Sequence, residues 1–266
     1  VNTYDASSPS LTLTGGNQYM NAVQLRDVSG PGYWTGLADD ALGGTAANFA
    51  TNPYASPLAP GDLAAAQTAS GGFAVFADAY FDNGAATAVT RTNLVVAAGG
   101  ASAGCFLFLN RTARYTLSGA DGAGIAGPSA LCKSGAGELA LLGANTYTGA
   151  TTVSGGTLRI GAGGTAGSLN RASAIALGKG ATLAFDRSDD YGGAFSKAIS
   201  GAGAVTVNGG TLTFAGTNTY TGPTTVNAGT LSVTREMLIK DITTWGLMTI
   251  NSNATFMSSA NVPFGY

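Results

Sequence analysis

Apolar and polar residues alternate in short runs along most of this chain, and glycine-rich turns cut the runs. In Thr151-Thr152-Val153 and Thr157-Leu158-Arg159-Ile160, a two-residue period puts Val153, Leu158 and Ile160 on one face. The intervening Thr and Arg then face water. Ser154-Gly155-Gly156 makes the corner between the two runs. The pattern predicts many short strands and an all-β chain.

The runs also repeat. Ala144 to Ile160 reads ANTYTGATTVSGGTLRI, and Thr217 to Val233 reads TNTYTGPTTVNAGTLSV, with 11 of 17 positions identical and a separation of 73 residues. A phrase recurring along one chain marks similar units stacked on each other. Leu139, Leu158, Leu183, Leu212 and Leu231 follow at gaps of 19, 25, 29 and 19 residues. Those gaps suit the rungs of a parallel β-solenoid, each climbing one strand spacing of about 4.8 Å. They are too short for propeller blades of about 40–45 residues. Asn145 and Asn218 sit at the preceding corner, where an Asn side chain replaces a missing backbone partner or stacks on a counterpart in the next coil. Tyr147 and Tyr220 recur in register and are expected to pack on the coil surface, with a sugar platform as the other reading.

Residues 131–234 therefore form the repeat region, and residues 1–130 a less regular β-rich region. Within the latter, Leu11-x-Leu-x-Gly15-x-Asn17-x-Tyr19 echoes the frame Leu139 to Tyr147. From about 29 to 67 the pattern dissolves around Pro31, Pro53, Pro57 and Pro60, which predicts a loop excursion or cap with a short helix over 60–67. Strands resume over 72–81, 93–98 and 105–109. The last segment, 235–266, holds Met237, Trp245, Met248 and Ile250 and no copy of the phrase, the composition of a cap on an open solenoid end or, equally, of a sticky contact surface.

Charged residues are only 10% of the chain, while Gly is 41 of 266. Low charge with retained apolar content argues against disorder and leaves the surface less protected against self-association. A net charge of −2 with scattered Lys and Arg offers no patch for nucleic acid. No apolar run approaches the length of a transmembrane helix. The chain opens at Val1 without Met or a leader, which fits either a processed, exported protein or an excised segment. Cys105 and Cys132 are read as one disulfide of an exported protein or as two free thiols.

The words Lys133-Ser-Gly-Ala-Gly137-Glu-Leu139, Asn145-Thr-Tyr-Thr-Gly149, Gly161 to Leu169, Phe185-Asp-Arg-Ser-Asp-Asp-Tyr191 and Ile199-Ser-Gly-Ala-Gly203 carry a resemblance. In that order, over about 100 residues, they resemble the autotransporter-associated β-strand repeat of bacterial passenger regions. The resemblance implies a right-handed parallel β-helix on the outside of a bacterium, serving as stalk, adhesin or scaffold. It implies no shared catalytic residue, and the outer-membrane barrel that ends typical members has no room in this chain.

The chemistry left to weigh is thin. With no histidine, the usual serine triads and His-containing metal sites are excluded. Asp186, Asp189 and Asp190 are weak candidates for Ca²⁺, against a solvated acidic loop. No enzyme activity and no cofactor is expected. The expected function is structural: an extracellular subunit associating with copies of itself into a fibre, sheath or biofilm matrix, with residues 1–14 added as a strand to the neighbour. The alternative is an adhesin passenger binding host or surface glycans through Tyr33, Trp34, Tyr54 and Tyr80.

Overall fold

A computed structural model describes residues 92–169, 174–234 and 248–259 continuously, together with 73–82, 85–90 and five short strands nearer the N-terminus. The described chain is a parallel β-solenoid of about six turns with two long sheets. Its helical content is a single 3₁₀ turn, Ala120–Gly122, among the described residues.

The eight-stranded sheet stacks Phe73–Phe76, Cys105–Phe108, Ala130–Lys133, Thr151–Val153, Ile175–Leu177 and Ile199–Gly201 in parallel. Gly32–Trp34 adds to Phe73–Phe76, and Phe49–Ala50 closes that edge antiparallel. The ten-stranded sheet stacks Ala41–Leu42, Asn93–Val96, Tyr115–Gly119, Glu138–Leu141, Gly156–Ile160, Ala181–Phe185 and Ala204–Val207. Thr224–Val233 then lies over both Ala204–Val207 and Thr211–Phe214. Between the rungs of the first half, Ala79–Asp82 and Ala85–Ala88 form an antiparallel hairpin.

Parallel register aligns like with like. Tyr115, Leu139, Leu158, Leu183 and Val205 form one buried column, and Leu117, Leu141, Ile160, Phe185, Val207 and Val226 another. Burying each such Leu contributes about 1.5–3 kcal/mol relative to exposure. Two aromatic clusters fill the wider places: Phe76, Phe106, Phe108 and Tyr115 in one, and Phe185, Tyr191, Phe195 and Phe214 in the other. Val153, Leu158 and Ile160 are buried as the alternation predicts.

The corner glycine of the phrase explains itself. Gly156 has φ +67° and a Cβ there would meet the Gly137 carbonyl at 2.3 Å; its counterpart Gly229 has φ +77° and would meet Gly210 O at 2.2 Å. Only glycine fits both demands. The preceding corner position is looser: a Cβ on Gly155 reaches its nearest neighbour at 3.5 Å, and the second copy carries Ala228 there.

Three expectations change. Met248–Ser258 is a further rung, paired in parallel along the whole of Thr224–Val233, where composition suggested a separate cap. Its inward-facing Met248, Ile250 and Phe256 remain partly exposed. Of the expected excursion over 29–67, residues 32–34, 41–42 and 49–50 are sheet strands, while the proposed helix over 60–67 lies outside the described residues. In the N-terminal segment Tyr4–Asp5 pairs antiparallel with Ser10–Leu11. A strand donated from residues 1–14 to a neighbour would first have to break that pair.

Candidate binding surface

The phrase's polar residues turn inward to tie rungs together. Asn145 is buried; its Oδ1 accepts from the Ile125 amide at 2.9 Å, and its Nδ2 donates to Ser168 O at 2.7 Å and Gly143 O at 3.0 Å. Asn218 repeats this, accepting from Ile199 N at 2.9 Å and donating to Gly216 O. Both replace backbone partners, and neither stacks on the other. The amide ladder lies elsewhere: Asn227 Nδ2 donates to Asn208 Oδ1 at 2.8 Å, and Asn251 Nδ2 to Asn227 Oδ1 at 2.8 Å. Its sequence signal was Thr-x-Asn, recurring as Thr206-Val-Asn208, Thr225-Val-Asn227 and Thr249-Ile-Asn251.

Tyr147 and Tyr220 are core residues, which overturns both their surface reading and the sugar platform. Tyr147 Oη shares a hydrogen bond with Thr151 Oγ1 at 2.6 Å, and Tyr220 Oη with Thr224 Oγ1 at 2.7 Å. A phenol enters the core when its hydroxyl has a partner, and Tyr-x-x-x-Thr in both copies supplied one. Tyr147→Phe strands the Thr151 hydroxyl and is expected to cost about 1–2 kcal/mol. Urea denaturation measures it, and an unchanged midpoint would refute the pairing.

The acidic cluster is divided among separate partners. Asp186 Oδ2 accepts from Arg159 Nη1 at 2.9 Å. Asp189 takes the Arg187 guanidinium on both oxygens, and Asp190 Oδ1 accepts from the Gly192 amide at 2.9 Å. The Arg187 guanidinium also stacks over Tyr191, 5.3 Å from the ring centroid, and holds the Asp189 carboxyl below its usual range. The three carboxylates do not converge, and among the described residues no three His, Cys, Asp or Glu side chains are placed to hold a metal ion. Asp186, Asp189 and Asp190 are thus corrected from Ca²⁺ candidates to ion-pair and turn partners.

Asp186 ends a charge ladder running across four rungs. Arg114 Nε lies 3.0 Å from Glu138 Oε1, Arg159 Nε 2.8 Å from the same oxygen, and Arg159 Nη1 bridges on to Asp186. Alternating charges in a partly buried network stabilise more than isolated surface pairs. Asp78 plays a local role. Burial pushes its carboxyl up, but hydrogen bonds from the amides of Ala113, Arg111 and Thr112 outweigh that and lower it.

Beyond this ladder the surface loses its charge. Residues 198–234 and 248–259 contain no Asp, Glu, Lys or Arg. Thr206, Thr225 and Thr249 align in register on the outward face, next to the hydrogen-bonded Asn208, Asn227 and Asn251. At the open end of the stack the last rung also leaves the inward-facing Ile250, and Met257, exposed. The result is a flat stripe of hydroxyls and amides, pre-ordered by its own hydrogen bonds.

One group was not anticipated in its actual role. Lys133 is fully buried, its Nζ donating to Ser134 O at 2.8 Å, Gly135 O at 2.9 Å and Gly155 O at 3.4 Å. Burial pushes its ammonium down to about 8, against a smaller opposing pull from Asp78. Cys105 and Cys132 carry free thiols with Sγ atoms 3.1 Å apart. The Cys105 thiol donates toward Cys132, which holds the Cys132 thiol low, at about 7, and raises that of Cys105.

Of the aromatics considered for surface binding, Tyr33 and Trp34 have their backbone in a sheet strand, and Tyr80 lies in the antiparallel hairpin. Tyr54 lies outside the described residues. The structure does not bring these four into one described site. Among the described residues no helix is long and apolar enough to cross a membrane.

A solenoid whose rungs are tied by repeated Asn and Tyr-Thr bonds is the class of protein these features define. The rungs over residues 131–160 and 207–233 match the passenger-associated-transport-repeat model. The chain is also 40% identical over 137 residues to the adhesin BmaC autotransporter of Brucella suis biovar 1 (strain 1330). That match covers 40% of this chain and spans 4% of the relative's length. No solved structure matches the chain.

Proposed function

We propose that this chain is a segment of a bacterial passenger adhesin, displayed on or released from the cell surface, whose solenoid presents a contact face to other surfaces. The observation that carries the reading is the 40% identity over 137 residues to an autotransporter adhesin, with the passenger-repeat matches over 131–160 and 207–233 beside it. The uncharged stripe of Thr206, Thr225, Thr249, Asn208, Asn227 and Asn251 is the face we assign to contact. Aligned hydroxyls and amides without net charge suit neutral, hydroxyl-rich partners such as surface glycans, since no charge must be desolvated. The first-half aromatics Tyr33, Trp34, Tyr54 and Tyr80 are the alternative contact residues. Assembly into fibres or matrix is the competing reading, favoured by the exposed Ile250 and Met257 on the last rung.

Beads coated with the purified chain should adhere to glycan-bearing surfaces well above beads coated with the heat-denatured chain. The double variant Thr225→Arg, Thr249→Arg should reduce adherence at least several-fold while leaving the melting temperature nearly unchanged. Adherence equal to the denatured control would end the adhesin reading. Full adherence by the double variant, with loss in Trp34→Ala, would move the contact face to the first half.

A further inference from the structure

We infer that Cys105 and Cys132 are the site of an oxidative cross-link that staples two successive rungs of the folded solenoid. This goes beyond the adhesin reading and does not depend on it.

The geometry is built by register. Cys105–Phe108 and Ala130–Lys133 are adjacent parallel strands, with Cys105 beside Ala130 and Leu107 beside Cys132. Phe106, Phe108, Leu131 and Lys133 point into the core. Cys105 and Cys132 therefore occupy the alternate positions on the outer side of the same sheet, diagonal to each other across one strand gap. Their Sγ atoms stand 3.1 Å apart. The two residues are 27 apart in sequence, and they meet only when these two rungs are correctly stacked. A one-residue slip would turn one thiol to the opposite face. The cross-link would thus form on the native stack and not on a slipped one.

The two thiols are not equivalent. Cys132 is the more accessible, and its thiolate is favoured by the S–H of Cys105, whereas Cys105 is buried. The step needs a disulfide oxidant, of the low-molecular-weight or thiol–disulfide-exchange kind. The Cys132 thiolate attacks one sulfur of that disulfide, forming a mixed disulfide and expelling one thiolate, which takes up a proton. Cys105 then gives up its proton to solvent and attacks Cys132 Sγ, expelling the second thiolate. Two protein thiols and one disulfide become one protein cystine and two small thiols; the protein is oxidised by two electrons and the oxidant reduced by two.

Closure constrains the unfolded chain, so its effect is read as a melting shift. The reduced folded protein is incubated with oxidised glutathione, then examined by intact mass, non-reducing peptide mapping and thermal melting. The expected product has lost two hydrogens, yields one linked peptide pair containing Cys105 and Cys132, and melts roughly 5–10 °C above the reduced protein. Cys105→Ser, which keeps Cys132, should accumulate the glutathione adduct near neutral pH faster than Cys132→Ser. Accumulation of the adduct on the unaltered protein without closure would overturn the proposal, as would two thiols still titratable after oxidation. If either serine variant fails to fold, the oxidised and reduced forms of the unaltered protein still decide the question.

Discussion

Asn145→Leu is expected to destabilise the protein by about 3–5 kcal/mol, among the largest effects of any single substitution of similar volume in this chain. The side chain fills two backbone vacancies, the Ile125 amide in the rung below and the Ser168 carbonyl in the rung above, and adds a second donor to the Gly143 carbonyl, which also accepts from the Ser168 amide. Leucine fits the volume but satisfies none of them, and each buried polar group left without a partner costs about 1–3 kcal/mol. Asn218→Leu should cost less, because Asn218 makes one 2.9 Å bond to Ile199 N and a long 3.4 Å bond to Gly216 O. Urea denaturation of both variants against the parent checks the magnitude and the order. A loss below 1 kcal/mol for Asn145→Leu, or a larger loss for Asn218→Leu, would show that water or backbone rearrangement replaces the amide.

Stability should also rise with pH between 8 and about 10. The folded Lys133 ammonium is pushed down to about 8 by burial, while the unfolded side chain keeps the ordinary value of 10.5. A base whose pKa is lower in the fold is held more weakly protonated there, so across that window the unfolded chain binds more protons. Stability then climbs with pH, by up to about 3 kcal/mol for this displacement. Above 10 the sign reverses. Burial raises the phenols of Tyr115, Tyr147, Tyr191 and Tyr220, the last to about 12, so the unfolded chain loses those protons first. The Cys105 thiol, also raised in the fold, opposes the rise above its ordinary value of 9.0, so melting temperatures taken across pH 7–11 should pass through a maximum between about pH 9 and 10. In Lys133→Met the lysine's share of the rise should vanish and the fall above pH 10 should remain. Cys105 and Cys132 are present in both proteins, so their own titrations cancel from the comparison. A rise of equal size in Lys133→Met would assign the effect to another group.

Lys133 shows where sequence reasoning stops. The Lys-Ser-Gly-Ala-Gly word marked the repeat, but a lysine in that word reads as solvated. Only the turn carbonyls of Ser134, Gly135 and Gly155, gathered from two rungs, make an interior place for an ammonium. Tyr147 and Tyr220 were misplaced for the opposite reason. Their partners, Thr151 and Thr224, lay four residues away in plain view, and the spacing carried the answer. The acidic triplet could not have been resolved from sequence, because Arg159, which claims Asp186, comes from the rung below.

By itself, the sequence determined the local units: the alternation of inward Val, Leu and Ile, the corner glycine at 156 and 229, and the parallel stacking implied by recurring rung lengths. These follow from side-chain period and backbone sterics within a few residues, which any copy of the phrase carries with it. The tertiary structure alone decided where each copy sits around the axis. Thr151–Val153 belongs to the eight-stranded sheet, between Ala130–Lys133 and Ile175–Leu177. The matching Thr224–Val226 lies in the ten-stranded sheet, over Val205–Val207. Leu158 accordingly stacks between Leu139 and Leu183, whereas Leu231 stacks between Leu212 and Phe256. Both leucines are fully buried, in different columns. The position around the axis depends on the lengths of all the intervening turns together, and no single phrase contains that sum.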